Sequence, residues 1–428
     1  MIARSLVSLV LVSSLLPILS VSAQVAGFAK LDPQDWPWWR GPGRDGVVRS
    51  DVAAPREWDA SHNVVWSTAI AGRGNGSAIV VGNRVVLATC DEGAGSQSLI
   101  CLDRESGKQL WNTQVHADGA MRKNTRSTGA SSTPGCDGEQ LYINFANHDA
   151  VVTTALSLDG EIRWQTKVTD YQIHQGYGSS PAPYGDLVLV SGDTKGGGAM
   201  AALQRKNGKV VWKRERPSAP NYSSPIVLSI AGRDQLLMTG CDLVTSLNPL
   251  TGETIWEVEG ATTECVTSTV TDGTHVFTSG GYPKNHVSAV RADGSKKLAW
   301  ENNERVYVPS LLIKDGYLYA VQDAGIAVCW EAATGKEMWH SRLGGDHSAS
   351  PVLVGDVIYA TSEKGDTSLF KASPMKFESV GPKNKLGDEV FATPTFSRGR
   401  IFMRIASQSD DRRQEHLVCI GEPSAQPR

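Results

Sequence analysis

Apolar residues along the chain fall in short, strand-length runs separated by turn formers. Val85–Ala88, Leu141–Asn144, Leu187–Val190, Leu236–Met238, Val276–Thr278, Tyr317–Ala320, Val357–Ala360 and Ile401–Met403 form one series. Turns such as Asp137-Gly138, Gly185-Asp186, Asp272-Gly273 and Asp315-Gly316 precede them. A second series pairs a small residue with an apolar one: Cys101-Leu102, Ala155-Leu156, Ala202-Leu203, Ser246-Leu247, Ala289-Val290, Cys329-Trp330, Leu369-Phe370 and Cys419-Ile420. Ser/Thr/Pro-marked strands open the units, as at Ser131-Ser132-Thr133-Pro134, Ser179-Ser180-Pro181, Ser223-Ser224-Pro225 and Ala392-Thr393-Pro394. No helical period competes with these strands.

The strands repeat as a unit. Trp66, Trp111, Trp164, Trp212, Trp256, Trp300 and Trp339 recur at intervals of 45, 53, 48, 44, 44 and 39 residues, and Phe377 is placed eighth, 38 further on. Gly107, Gly160, Gly208, Gly252 and Gly335 each stand four residues before a tryptophan, and Gly294 stands six before Trp300. Glycine at a positive-φ turn position followed by an extended strand explains the spacing. The tryptophans are therefore read as structural, one at the end of each fourth strand, packing blade against blade.

Four-stranded units of 40–50 residues, many times over, specify a β-propeller. Eight starts fall near residues 77, 130, 179, 222, 265, 308, 348 and 390. The last unit lacks its fourth strand, while Val64-Val65-Trp66 opens the series as a fourth strand without a unit. The expectation is an all-β, eight-bladed propeller of four-stranded antiparallel blades, its ring closed by an N-terminal strand. Closure removes open sheet edges. The boundaries are 1–23 signal peptide, 24–62 Trp/Gly/Pro-rich segment, 63–421 propeller and 422–428 tail.

The ends refine this picture. Arg4 followed by the apolar stretch Leu6–Leu19 and the small-x-small site Val21-Ser22-Ala23 reads as a cleaved export signal, too short to span a bilayer comfortably. Gln24 occupies the position where a lipoprotein needs cysteine. The mature chain is expected to be periplasmic or secreted, without a transmembrane segment and as a monomeric ring. Trp36-Pro37-Trp38-Trp39-Arg40-Gly41-Pro42-Gly43-Arg44-Asp45-Gly46 contains a literal Gly-x-Gly-x-x-Gly. Pro37 and Pro42 break the strand and helix that a dinucleotide site needs, so the tryptophans are read as covering an apolar surface.

Composition narrows the chemistry. Lys and Arg number 42 against 45 Asp and Glu, a formal charge of −3, so there is no basic excess for nucleic acid. Seven cysteines in 428 residues are too few for a disulfide scaffold. Cys101, Cys329 and Cys419 share a column with alanines and read as small buried residues, while one disulfide among Cys90, Cys136, Cys241 and Cys265 stays open. No Gly-x-Ser-x-Gly, His-Glu-x-x-His or Cys-x-x-Cys occurs, so neither a catalytic residue nor a metal site is assigned.

The Ser-Ser-x-Pro start, the Gly/Asp turn, the Ala-Leu core and the Thr-Gly-Lys-x-x-Trp ending resemble the PQQ-like β-propeller repeat. It is shared by quinoprotein alcohol dehydrogenases and the outer-membrane scaffold BamB, and the leading Trp-Pro-x-x-Arg-Gly resembles exported bacterial members. The resemblance implies either a PQQ- and calcium-dependent dehydrogenase or a binding scaffold. Adjacent cysteines of the dehydrogenase type are missing here, so no cofactor is expected.

Turn lengths say where binding would sit. The connections from fourth to first strands (112–129, 165–178, 213–222, 301–307) and from second to third (278–286, 405–416) are long and lie on one face. That face carries Arg122, Lys123, Arg126, Tyr171, His174, Tyr177, Arg214, Arg216, Tyr282 and Lys284 as candidate contacts. The leading reading is an exported, non-catalytic scaffold for envelope or secreted proteins, not nucleic acid. The alternatives are the dehydrogenase and a small-molecule or carbohydrate binder.

Overall fold

The computed structural model describes residues 28, 30–49, 52–409 and 412–422. The expected export signal over 1–23 and the tail from 423 lie outside the described residues. Every regular element described is a β-strand, and eight antiparallel sheets form eight blades. Strands A to D of blade 1 are Ile79–Val81, Arg84–Asp91, Ser96–Asp103 and Gln109–His116. The same order recurs in blades 2 to 6, whose first strands begin at Gly135, Ala182, Ile226, Val270 and Leu312. Blade 7 starts at Val352, and its strand D is only Asn384–Lys385.

Blade 8 closes the ring as the sequence predicts. Thr395–Ser397, Arg400–Ser409 and Arg412–Ile420 are its strands A to C, and Val64–Ile70 pairs antiparallel with the last as strand D. The Thr395 hydroxyl donates to the Ala78 carbonyl, joining blade 8 to blade 1 at the inner edge.

Cross-strand register explains the small-residue column. Trp66 faces Cys419, Trp111 Cys101, Trp164 Ala155, Trp212 Ala202, Trp256 Ser246, Trp300 Ala289 and Trp339 Cys329. A bulky ring directly opposite leaves room only for a small partner. All seven cysteines are buried and unpaired. Burial pushes the Cys101, Cys329 and Cys419 thiols up to about 12, so the column is chemically inert.

Six tryptophans also reach out of their own blade. The indole N–H of Trp66, Trp111, Trp164, Trp212, Trp300 and Trp339 donates to the carbonyl of Arg104, Leu158, Arg205, Pro249, Ala332 and Ser373, each in the next blade. Trp256 instead donates to Gln235 within its own blade, where the following turn carries the two-residue insertion after Gly294. The turn glycine of the next blade lies flat against the ring. A Cβ on Gly252, at φ +73°, meets the Trp212 ring at 2.7 Å, whereas a Cβ on Gly294, at φ +83°, meets nothing within 4 Å. Gly252→Ala is therefore expected to cost about 2–3 kcal/mol in urea unfolding and Gly294→Ala only about 1 kcal/mol, the backbone strain alone. Equal losses would remove the ring contact as the cause.

Phe377 does not take the eighth place. It packs on Trp339 and Phe370, with ring centroids 5.7 and 5.3 Å away, between blades 6 and 7. The long connection before Asn384 carries it off strand D. Trp58 covers blade 7 instead, stacked on Tyr359 with its amide donating to the Asn384 side chain.

Candidate functional site

The channel down the propeller axis is filled by the chain's own N-terminal segment. Strands A are innermost, and residues 34–48 lie inside them. Trp36 forms a bridge with Val80 of blade 1, and the Pro37 carbonyl accepts from Cys136 of blade 2. The Arg44 guanidinium donates to the Pro183 carbonyl of blade 3, and that of Arg40 to the Leu311 carbonyl of blade 6. Val47–Val48 adds a parallel fifth strand to the inner edge of blade 7, and the Ser397 hydroxyl of blade 8 donates to the Gln34 carbonyl. Trp38 is wholly buried with the Arg44 guanidinium 4.2 Å above its ring. Burial pulls Arg40 down to about 10 and Arg44 to about 9, so both stay charged at neutral pH. The glycines permit this compact path, since Gly41 and Gly46 take φ of +76° and +77°.

Above the stopper runs a girdle of hydroxyls, one at the head of each strand A. The Ser77 amide donates to the Thr133 hydroxyl, Thr133 to Ser180, and Ser180 to Ser224. Ser268 donates to Ser310, Ser310 to Ser350, and Ser350 to Thr393. This is the physical meaning of the hydroxyl residue that directly precedes proline at Thr133, Ser180, Ser224, Ser350 and Thr393. The hydroxyl at Ser268 instead accepts from the Trp39 indole N–H at 2.8 Å, which seats that ring at the girdle.

Over the girdle opens a blind funnel of about 790 Å³ on the long-loop face, with Trp39 in its lining. Two residues before each girdle position, one residue from every blade junction lines it: Asn75, Ser131, Gly178, Tyr222, Val266, Val308, Ser348 and Phe391. Four connections meet there. Arg126 reaches Asp346 at 3.4 Å and Glu363 at 3.6 Å, and the Asn124 amide donates to the Gln175 side chain.

One sector concentrates charge and aromatic surface. Glu264 is buried, 3.2 Å from His174 Nε2, and accepts from the Tyr307 hydroxyl at 3.4 Å. The Asp323 carboxylate accepts from the Tyr307 amide at 2.7 Å, and burial raises its pKa. Arg305 stacks 5.1 Å over Tyr307 and donates to the Gly281 carbonyl. Burial, then the Glu264 charge, raises the Tyr307 phenol.

Of the residues singled out in the sequence, Arg126, His174, Tyr177 and Tyr282 line the funnel. Tyr171 is buried behind it, donating to the Gly176 carbonyl and meeting Tyr177 edge to face. Arg216 is buried in an ion pair with Asp193. Arg122 pairs with Glu92, Arg214 approaches Glu257 at 4.0 Å, and Lys123 and Lys284 are exposed beyond the lining. Trp39, Tyr222, Arg305, Tyr307 and Asp323 were not among the residues placed on that face from the sequence. The eightfold position two residues before the girdle is the signal that would have found Tyr222 and pointed to its neighbours.

The profile of the family described as outer membrane protein assembly factor BamB matches residues 42–175, 158–341 and 309–374. Among solved structures, the chain is similar to BamB from Moraxella catarrhalis, at 14% identity and TM-score 0.60, over 83% of this chain and 99% of that one. It is similar to the quinohemoprotein alcohol dehydrogenase from Comamonas testosteroni, at 11% and 0.63, over 95% and 85%. A europium-containing methanol dehydrogenase follows at 12% and 0.53, over 92% and 100%. At these identities the likeness establishes the fold alone. Comparison with curated proteins gives no match.

Proposed function

The chain belongs to the family described as outer membrane protein assembly factor BamB, and from that premise we propose that it is a non-catalytic binding propeller of the cell envelope, receiving protein partners on its long-loop face. The observation that carries this reading is the blind funnel. A channel sealed from below by the chain's own segment leaves a rigid cup walled by all eight blades, the form of a recognition site. Exposed Tyr282 at its mouth is the kind of aromatic residue that anchors interfaces.

The same fold hosts quinoproteins. Pyrroloquinoline quinone is a flat anion with three carboxylates, and its calcium needs convergent oxygen ligands. The lining does not fit it. Glu264, Asp323 and Asp346 face the funnel, with Glu363 beside them. Against them stand the Arg126 and Arg305 guanidinium groups, the first already paired with carboxylates and the second bonded to the Gly281 carbonyl. No three His, Cys, Asp or Glu side chains converge as metal ligands among the described residues.

Photo-crosslinking in the native cell tests the scaffold reading. A photoreactive residue at Tyr282 should give discrete protein adducts. One at exposed Leu110, on strand D of blade 1 at the outer rim, should give none. Adducts equal at both positions, or absent at Tyr282, overturn it.

A further inference from the structure

The funnel's charged sector carries an inference about what enters it, and it rests on the binding reading above. Glu264 is a buried carboxylate of the wall that forms no ion pair with a guanidinium or ammonium group among the described residues; its side chain is 7% exposed, with His174 and the Tyr307 hydroxyl as its side-chain partners. Asp346 and Glu363, by contrast, share Arg126. Aromatic rings gather in this same sector. Tyr307 bonds Glu264 directly, Tyr282 exchanges a backbone bridge with it, and the Tyr222 amide donates to the Cys265 carbonyl next in sequence. Trp39 anchors on Ser268 four residues further on. The Tyr222 hydroxyl is shielded from solvent and makes no well-aligned hydrogen bond.

A carboxylate taken out of water stays ionised best beside a cation, and the faces of tyrosine and tryptophan attract the same charge. Anions meet the opposite, since the funnel's acids outnumber its guanidinium groups. We propose that the funnel is a site for an organic cation, an alkylammonium or quaternary ammonium head held against Glu264 within the Tyr222, Tyr282, Tyr307 and Trp39 rings. The head is carried either by a free small molecule or by a lysine side chain of the partner.

Calorimetric titration of the full chain tests this with two pairs of probes. Choline is compared with its neutral isostere 3,3-dimethylbutanol, and Nα-acetyl-lysine methylamide with the norleucine analogue. At least one charged probe should bind about 10-fold or more tighter than its isostere. Choline alone identifies a free ligand, and the lysine amide identifies a side chain. Glu264→Gln should erase the charge preference, and Tyr282→Ala, at an exposed ring, should weaken the cation several-fold in a folded protein. Isosteres binding equally, a preference surviving Glu264→Gln, a neutral saccharide such as maltose binding in preference, or no saturable cation binding up to about 10 mM overturns the proposal. Should Glu264→Gln fail to fold, Tyr282→Ala decides. Absence of any charge preference together with discrete crosslinks from position 282 would sink the cation site while leaving the scaffold reading intact.

Discussion

Arg216→Met is expected to destabilise the propeller by about 3–5 kcal/mol, measured by urea unfolding. In the sequence Arg216 reads as a surface contact in a long connection from 213 to 222, but Val210–Glu215 is strand D of blade 3 and Arg216 follows directly on it. Its side chain is 1% exposed and that of Asp193 is fully buried. The guanidinium donates to both Asp193 oxygens at 3.0 and 3.3 Å and to the Thr245 hydroxyl of blade 4. Asn221 adds a donor to the same carboxylate, and its side-chain oxygen accepts from the Cys265 amide. The arginine thus ties blade 3 to blade 4. Removing it strands a buried carboxylate, and that uncompensated charge dominates the loss. Arg216→Met combined with Asp193→Leu should therefore recover most of the stability. Arg214→Met, half-exposed two residues earlier, should cost under about 0.5 kcal/mol. A double variant as unstable as the single one would show that packing, not the stranded charge, sets the effect.

Trp38→Ala is expected to cost a similar 3–5 kcal/mol. The ring is wholly buried, edge to face with Phe28 at 5.7 Å and capped by Arg44. Its loss empties the axis and leaves Arg44 with the Pro183 carbonyl but no aromatic face, and no carboxylate to replace it. Limited proteolysis should then cut within 36–49 faster than in the parent. A loss under about 1 kcal/mol with unchanged proteolysis would mean that the stopper is only loosely seated.

The repeat was legible because this propeller writes its inter-blade contact into six of its eight units: a tryptophan, a small residue opposite it, and a turn in the next blade that the indole bonds. Gly252 and Trp212 are 40 positions apart in the chain and in contact in the fold, yet the period joins them. The funnel was legible as a face rather than as a site. His174 and Glu264 stand out as loop residues, but their pairing requires connections from different blade junctions to lean together. Arg216 and Tyr171 share the chemistry of interface residues, and no local pattern reveals a partner 23 residues away that buries the first. The Trp36–Trp39 run was legible as packing; what it packs against was not, since Val80, Cys136 and Leu353 surround one axis only after the ring has closed. Its literal Gly-x-Gly-x-x-Gly serves the turns of that descent.

The stopper and the closing strand have a consequence for how the molecule comes into being. Val47 pairs with Leu353, and Val64 with Ile420, so the segments made first are completed by the segments made last. Such distant pairings carry a large loop-closure cost before they return any contact. A growing chain can finish blades 1 to 6 in turn and seat part of its axle on them, but Val47–Val48 stays unpaired until blade 7 exists and the final outer strand until blade 8 does. Folding is thereby gated by completion: a chain broken off before its last blade keeps an open ring and unsatisfied sheet edges, the state in which aggregation competes with folding.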